Sequence, residues 1–121
     1  MPRSVPGEVT SAPSMEISPE VETWYATLKS KDKAMADRAF DRLAEQGPEL
    51  RMPHARPLGG GLFELRFTCE GTARRVTYYI DTRREVITLT AFRKQRQQER
   101  REVARARQAM RASQEVGGTD G

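Results

Sequence analysis

The sequence predicts an α+β domain in which two N-terminal helices pack on a small antiparallel β-sheet and a basic C-terminal helix follows. Apolar residues recur at helical spacing across residues 19–44 and alternate with polar ones in three runs across residues 62–92. Helical spacing returns after residue 93, where arginine dominates. A chain of 121 residues accommodates one domain with one modest core.

Residues 1–14 hold Pro2, Pro6 and Pro13 without sustained periodicity and read as a disordered leader. Residues 113–121, with Gly117 and Gly118, read as a disordered tail, which leaves 15–112 for the domain. The first helix takes Ser18 as its N-cap and Pro19 as its first residue, with Glu20 and Glu22 near the positive end of its dipole. Val21, Trp24, Tyr25 and Leu28 form its apolar stripe, so Trp24 belongs to the core or to a partner interface. After a turn near Ser30 to Lys33, Ala36, Ala39, Phe40, Leu43 and Ala44 repeat on one face of a second helix, which Gly47-Pro48 stops. The two helices form an antiparallel pair.

The crossing from Pro48 to Gly61 carries Pro53, Pro57 and three consecutive glycines and reads as an irregular link to the first strand. Gly59-Gly60-Gly61 precedes a strand rather than a helix, which makes it a bend where the backbone passes closely and not a phosphate loop. Three strands follow, joined by Cys69-Glu70-Gly71-Thr72 and Asp81-Thr82-Arg83-Arg84, links short enough for an antiparallel meander. Strand parity assigns Phe63, Leu65, Phe67, Val76, Tyr78, Ile80, Ile87, Leu89 and Ala91 to a core face. The opposite face receives Glu64, Arg66, Arg75, Thr77, Tyr79, Thr88, Thr90 and Phe92. Cations, hydroxyls and aromatic rings gathered on one face suit a phosphate and a stacked base, so this face is the candidate site. Val103, Ala106, Ala109 and Met110 make only a thin apolar stripe on the last helix, which fits loose packing or a partner.

The net charge of +4 is unevenly spread. Arg93, Lys94, Arg96, Arg100, Arg101, Arg105, Arg107 and Arg111 stand against only Glu99 and Glu102, so the rest of the chain is slightly acidic. Such a block suits a polyanion, an acidic protein or simple solvation of a helix face. Cys69 is the only cysteine and His54 the only histidine, which excludes an internal disulfide and leaves no metal-ligand cluster. No apolar run is long enough for a signal peptide or a membrane span, and a cytoplasmic protein without cofactor is expected.

The ordered set Pro-Leu-Gly-Gly-Gly-Leu-Phe-Glu-Leu-Arg, Arg-Val-x-Tyr-Tyr and Leu-Thr-x-Phe-x-Lys, between a helix pair and a basic helix, resembles the RelE/HigB toxins of type II toxin-antitoxin modules, in particular their phage-derived HigB-like branch. The resemblance spans residues 14–112. It implies an endoribonuclease that cuts mRNA on the translating ribosome without a metal and is held inactive by a cognate antitoxin, a small helix-turn-helix protein. RNA supplies the 2′-hydroxyl nucleophile; the protein aligns it, takes its proton, stabilises the phosphorane and protonates the leaving oxygen. The matching motif positions implicate Arg66 and Arg75 in binding the scissile phosphate and Lys94 in proton transfer or phosphate binding. Parity adds Tyr79 and Phe92 as base-stacking platforms, or else as residues buried under the last helix. Arg93, Arg96 and Arg100 are assigned to RNA binding. After Lys94 the family pattern of a second lysine and Thr-Pro is replaced by Gln95 and Gln97-Gln98-Glu99.

Each candidate also has an ordinary alternative. Arg66 could pair with a cross-strand acid such as Glu85, Arg74 is the solvated neighbour of Arg75, His54 is a loop residue as well as an acid or base by pKa, and Cys69 suits a buried turn better than nucleophilic attack. Two other functions fit the same chain: a gyrase-poisoning toxin of the same fold, and a module that binds RNA or antitoxin without catalysis.

Overall fold

The computed structural model describes residues 15–119. The element order is β1 (Met15–Glu16), α1 (Pro19–Ala26), α2 (Ser30–Gln46), a 3-10 turn (Gly47–Glu49), β2 (Ala55–Gly59), β3 (Leu62–Cys69), β4 (Thr72–Ile80), β5 (Val86–Arg93), a second 3-10 turn (Arg96–Gln98) and α3 (Glu99–Thr119). The leader expected over residues 1–14 lies outside the described residues. Helix α3 continues to Thr119 where a tail was expected from residue 113.

The α+β class and the helix pair followed by a basic helix are as the sequence predicts. The sheet is larger than the expected meander. Its five strands run in the order β1-β5-β4-β3-β2, and β1 joins β5 in parallel, so the sheet is mixed. Strand β2 forms inside the crossing read as irregular, because an edge strand tolerates Pro57, whose missing N–H leaves no ladder bond unmade. The glycine bend joins β2 to β3 with φ of +96°, +63° and +89° at Gly59, Gly60 and Gly61, a run of backbone that residues with a Cβ rarely adopt.

Two layers of helix cover the sheet. Val21, Ala39 and Leu43 of α1 and α2 pack on Leu65, Val76, Tyr78 and Val86, and burial pushes the Tyr78 hydroxyl up to about 12. On the other face α3 sets Ala106 and Met110 against Leu62, Tyr79, Ile87 and Leu89. A bulge makes the second cluster. Val76 pairs with Ala91 but Tyr78 pairs with Thr88, so Leu89 and Thr90 together face Thr77 alone. The extra residue reverses parity along the first half of β5. Ile87 and Leu89, expected on the face of the helix pair, lie under α3, and Thr88, expected on the candidate face, bonds the chain entering α1.

The outer edge of β5 beyond β1 is closed by side chains. The Ser18 hydroxyl donates to the Leu89 carbonyl at 2.9 Å and also caps α1 by accepting from Val21 N, as its N-cap position predicts. The Ala91 N–H donates to Glu20 at 3.0 Å. An edge so occupied offers no ladder to another strand. No helix among the described residues is long and apolar enough to cross a membrane.

Candidate active site

The sheet face under α3 divides into an apolar part, which the middle of the helix covers, and a charged part toward the helix start. Register builds the charged part as two rows. Arg56 of β2 stands opposite Glu64 of β3, which stands opposite Thr77 of β4. One step along, Arg66 of β3 stands opposite Arg75 of β4, which stands opposite Phe92 of β5. Thr77 and Thr90 close the first row with a hydroxyl–hydroxyl bond of 2.6 Å, and Thr90 N–H also donates to the Thr77 hydroxyl.

Charge is concentrated and dry at the centre of these rows. Glu64 is 1% exposed, both carboxyl oxygens are buried without a hydrogen-bond partner, and Arg75 Nε stands 3.6 Å from Oε2. Arg75 is itself buried; its Nη1 donates to the Arg74 carbonyl at 3.0 Å and its Nε has no acceptor. Burial pushes the Glu64 carboxyl above the usual glutamate range, against the pull of Arg75, Arg66 and Arg56 and with a further push from Glu99. Burial likewise draws the Arg75 guanidinium downward and Arg66 repels it in the same direction, while Glu64 and Glu99 oppose both.

Helix α3 adds a wall. Arg96, Glu99, Arg100, Val103, Ala104 and Arg107 line an open groove of about 570 Å³, and Glu99 is the member whose charge reaches Glu64 and Arg75. Arg107 closes one end by donating to the carbonyls of Leu58 and Gly59, 2.6 and 2.9 Å away. A Cβ on Gly60 would stand 3.4 Å from Arg107 Nη1, an ordinary contact with the end of a flexible side chain, so the positive φ angles and not a close backbone passage call for glycine at the bend.

Arg66 and Arg75 are thus brought into direct opposition, while Arg96 and Arg100 line the groove along α3. Arg66 faces Arg75 rather than Glu85, and its Nη1 reaches the Met52 sulfur at 3.5 Å. Lys94 extends the ladder through its N–H to the Ala73 carbonyl and falls on the Phe92 face by alternation. Arg93 pairs with Arg74 on the opposite face, away from the other candidates. Tyr79 takes the second of its two expected places: it is buried under α3 with its hydroxyl 2.7 Å from Ser113, and its ring packs in the core instead of standing open to a base. Phe92 is buried as well, at 7% exposure, so it does not present an open platform.

Arg74 is not the solvated neighbour that was expected, since it bonds Glu70 at 2.9 Å and lies over the Trp24 ring at 5.5 Å. His54 turns its Nδ1 to Arg42 Nη1 on α2, 3.2 Å away, and Cys69 is buried with its thiol on the Asp32 carbonyl. Burial, with Asp32 and Glu70 nearby, pushes that thiol up and away from thiolate chemistry. Among the described residues no group of three or more His, Cys, Asp or Glu is placed to hold a metal ion. Sequence reasoning missed Arg56, Glu99 and Arg107, and put Glu64 on the right face without a role. The ladder signal for Arg56 was hidden because its strand lies in the proline-rich crossing.

The sequence model of the phage-derived Gp49-like proteins matches residues 23–111, nearly three quarters of the chain. No curated protein matches the sequence at a significant level. Among solved structures, the free state of an Escherichia coli RelE toxin in which two arginines are replaced by alanine is similar in fold, with a TM-score of 0.57 and 11% identity over 84% of this chain and 97% of that one.

Proposed function

Because the chain belongs to the Gp49-like family of phage-derived proteins, a RelE/HigB-type toxin family, we propose that it is the toxin of a type II toxin-antitoxin pair and cleaves mRNA on the ribosome. The observation that carries this reading is the direct pairing of Arg66 with Arg75. Like charges opposite each other on a sheet repel. Two arginines so placed form a seat for an anion, to which the arginines of the α3 groove add positive field.

In the proposed reaction the two guanidinium groups bind the scissile phosphate. The 2′-hydroxyl gives its proton to water as its oxygen bonds to phosphorus, the P–O5′ bond breaks, the 5′-oxygen leaves with a proton, and a 2′,3′-cyclic phosphate remains. Lys94, exposed at the end of β5, carries a proton to the leaving oxygen or holds a phosphate oxygen. Arg66 and Arg75 oppose the charge that grows on the phosphorane, and the dry surroundings of Arg75 strengthen that effect. With Arg75 only 5% exposed, seating the phosphate requires overlying side chains to yield. The partner of such a toxin is its cognate antitoxin, a small helix-turn-helix protein, and its place of action is the cytoplasm.

The test is 5′-end mapping of mRNA in a translating extract, with and without active ribosomes, for the protein and for folded Arg66→Ala, Arg75→Ala and Lys94→Ala variants. New ends that need ribosomes and disappear in the variants support the proposal. Intact mRNA throughout sinks the nuclease reading, and loss of DNA supercoiling under the same conditions would replace it with gyrase poisoning.

A further inference from the structure

We propose that Glu64 is an internal counter-anion of the phosphate seat, which competes with the RNA phosphodiester for Arg75 and Arg66 and leaves the competition by taking up a proton when RNA binds. The inference rests on the RNA-binding reading above and deepens it. Glu64 is a positioning residue: it is shielded from contact with RNA and acts through the arginines.

The geometry carries the argument. A carboxyl with no hydrogen bond to either oxygen is costly to bury when charged, and among the described residues the Arg75 guanidinium is the one cation within 4.0 Å of it, at 3.6 Å. The charged groups acting on it from the packed elements are Arg56 of β2, Arg66 of β3, Arg75 of β4 and Glu99 of α3. From β5 come Thr90 and Phe92, which do not titrate there. Three cations therefore stand against two carboxylates. The arrival of a phosphate adds a third anion to the same arginines, and the anion that can be neutralised at least cost is the dry one, Glu64. Glu99 lines the open groove and can turn to water instead. Proton uptake by Glu64 thus frees the cationic field of Arg75 for the phosphate.

The sign follows from linkage. If binding takes up one proton, affinity falls as pH rises, by up to about tenfold per pH unit between the pKa values of the carboxyl without and with bound anion. The experiment measures binding of a 2′-deoxy-substituted oligonucleotide, which lacks the attacking hydroxyl, at fixed ionic strength from pH 5 to 9. Wild type is expected to weaken with pH in this way. Glu64→Gln is expected to bind at least as tightly as wild type at pH 8 and to lose the slope. Calorimetry of wild type in two buffers of different ionisation enthalpy is expected to register the proton uptake directly, and this arm stands even if Glu64→Gln fails to fold.

Equal slopes in the two proteins, zero proton uptake, or no binding by either protein at any pH would overturn the proposal. The cleavage assay is separate: proton-linked binding without mRNA cuts rejects the nuclease reading alone, and cuts with no proton linkage reject this inference alone.

Discussion

At the scale of single residues, the balance between burial and pairing decides what each charged or reactive group can do. Between the ordinary glutamate range and its raised folded value Glu64 holds a proton in the fold that the unfolded chain has released, and above that value it is charged. Its contribution to stability is full below the ordinary glutamate range and is lost as pH rises through its raised value. Glu64→Gln should therefore gain on wild type in urea midpoint between pH 4 and pH 8, and a constant difference over that range would show that the carboxyl titrates as a free one. Cys69 should resist modification for a related reason, since its thiol is both covered and pushed up. Ellman's reagent at pH 8 is expected to label the native protein at least about 100-fold more slowly than the protein in denaturant. Arg66 and Arg75 share the face that parity assigned them because the register across the short β3–β4 turn matches the assumed one. The role of Glu64 was not legible in the sequence, because a pKa depends on the covering helix and on neighbours contributed by other strands.

Elements are held to one another here by a few side chains that satisfy two demands at once. Ser18 caps α1 and closes the β5 edge, so Ser18→Ala should cost about 1–2 kcal/mol in urea unfolding, toward the upper end of cap losses. Glu20 receives two bonds from Arg105, of 2.6 and 2.9 Å, and accepts the Ala91 N–H as well. Both side chains of this ion pair are more than a third exposed, so water screens it. A double-mutant cycle should give a coupling of about 0.5–1 kcal/mol that shrinks in high salt. Met110 contributes more through packing. Met110→Ala is expected to cost about 2–3 kcal/mol, read as a lower urea midpoint and faster exchange of α3 amides. The helices were visible from caps and stripes, because those signals are local. The bulge at Leu89 and Thr90 was not, since two residues facing one is a property of a strand pair and leaves no mark on either strand alone.

For the whole molecule, the relevant quantity is the field of the basic segment once some of its charges are committed to structure. Arg105 is held by Glu20 and Glu102, and Arg107 is spent on two backbone carbonyls, whereas Arg96 and Arg100 remain on the groove wall. Arg96→Ala and Arg100→Ala should each lower the slope of log affinity against log salt for a single-stranded oligonucleotide by about 0.7, measured by fluorescence titration. An unchanged slope in both variants would take the groove out of the binding path. The sequence by itself determined the α+β class and the order of its major elements, because periodicity and capping are written within a few neighbouring residues. Only the tertiary structure decided that β1 and β2 complete the sheet, that Ile87 and Leu89 turn to α3, that Tyr79 is covered, and that Glu64 lies dry among Arg56, Arg66 and Arg75. Those outcomes depend on register and burial, which exist only when distant segments meet.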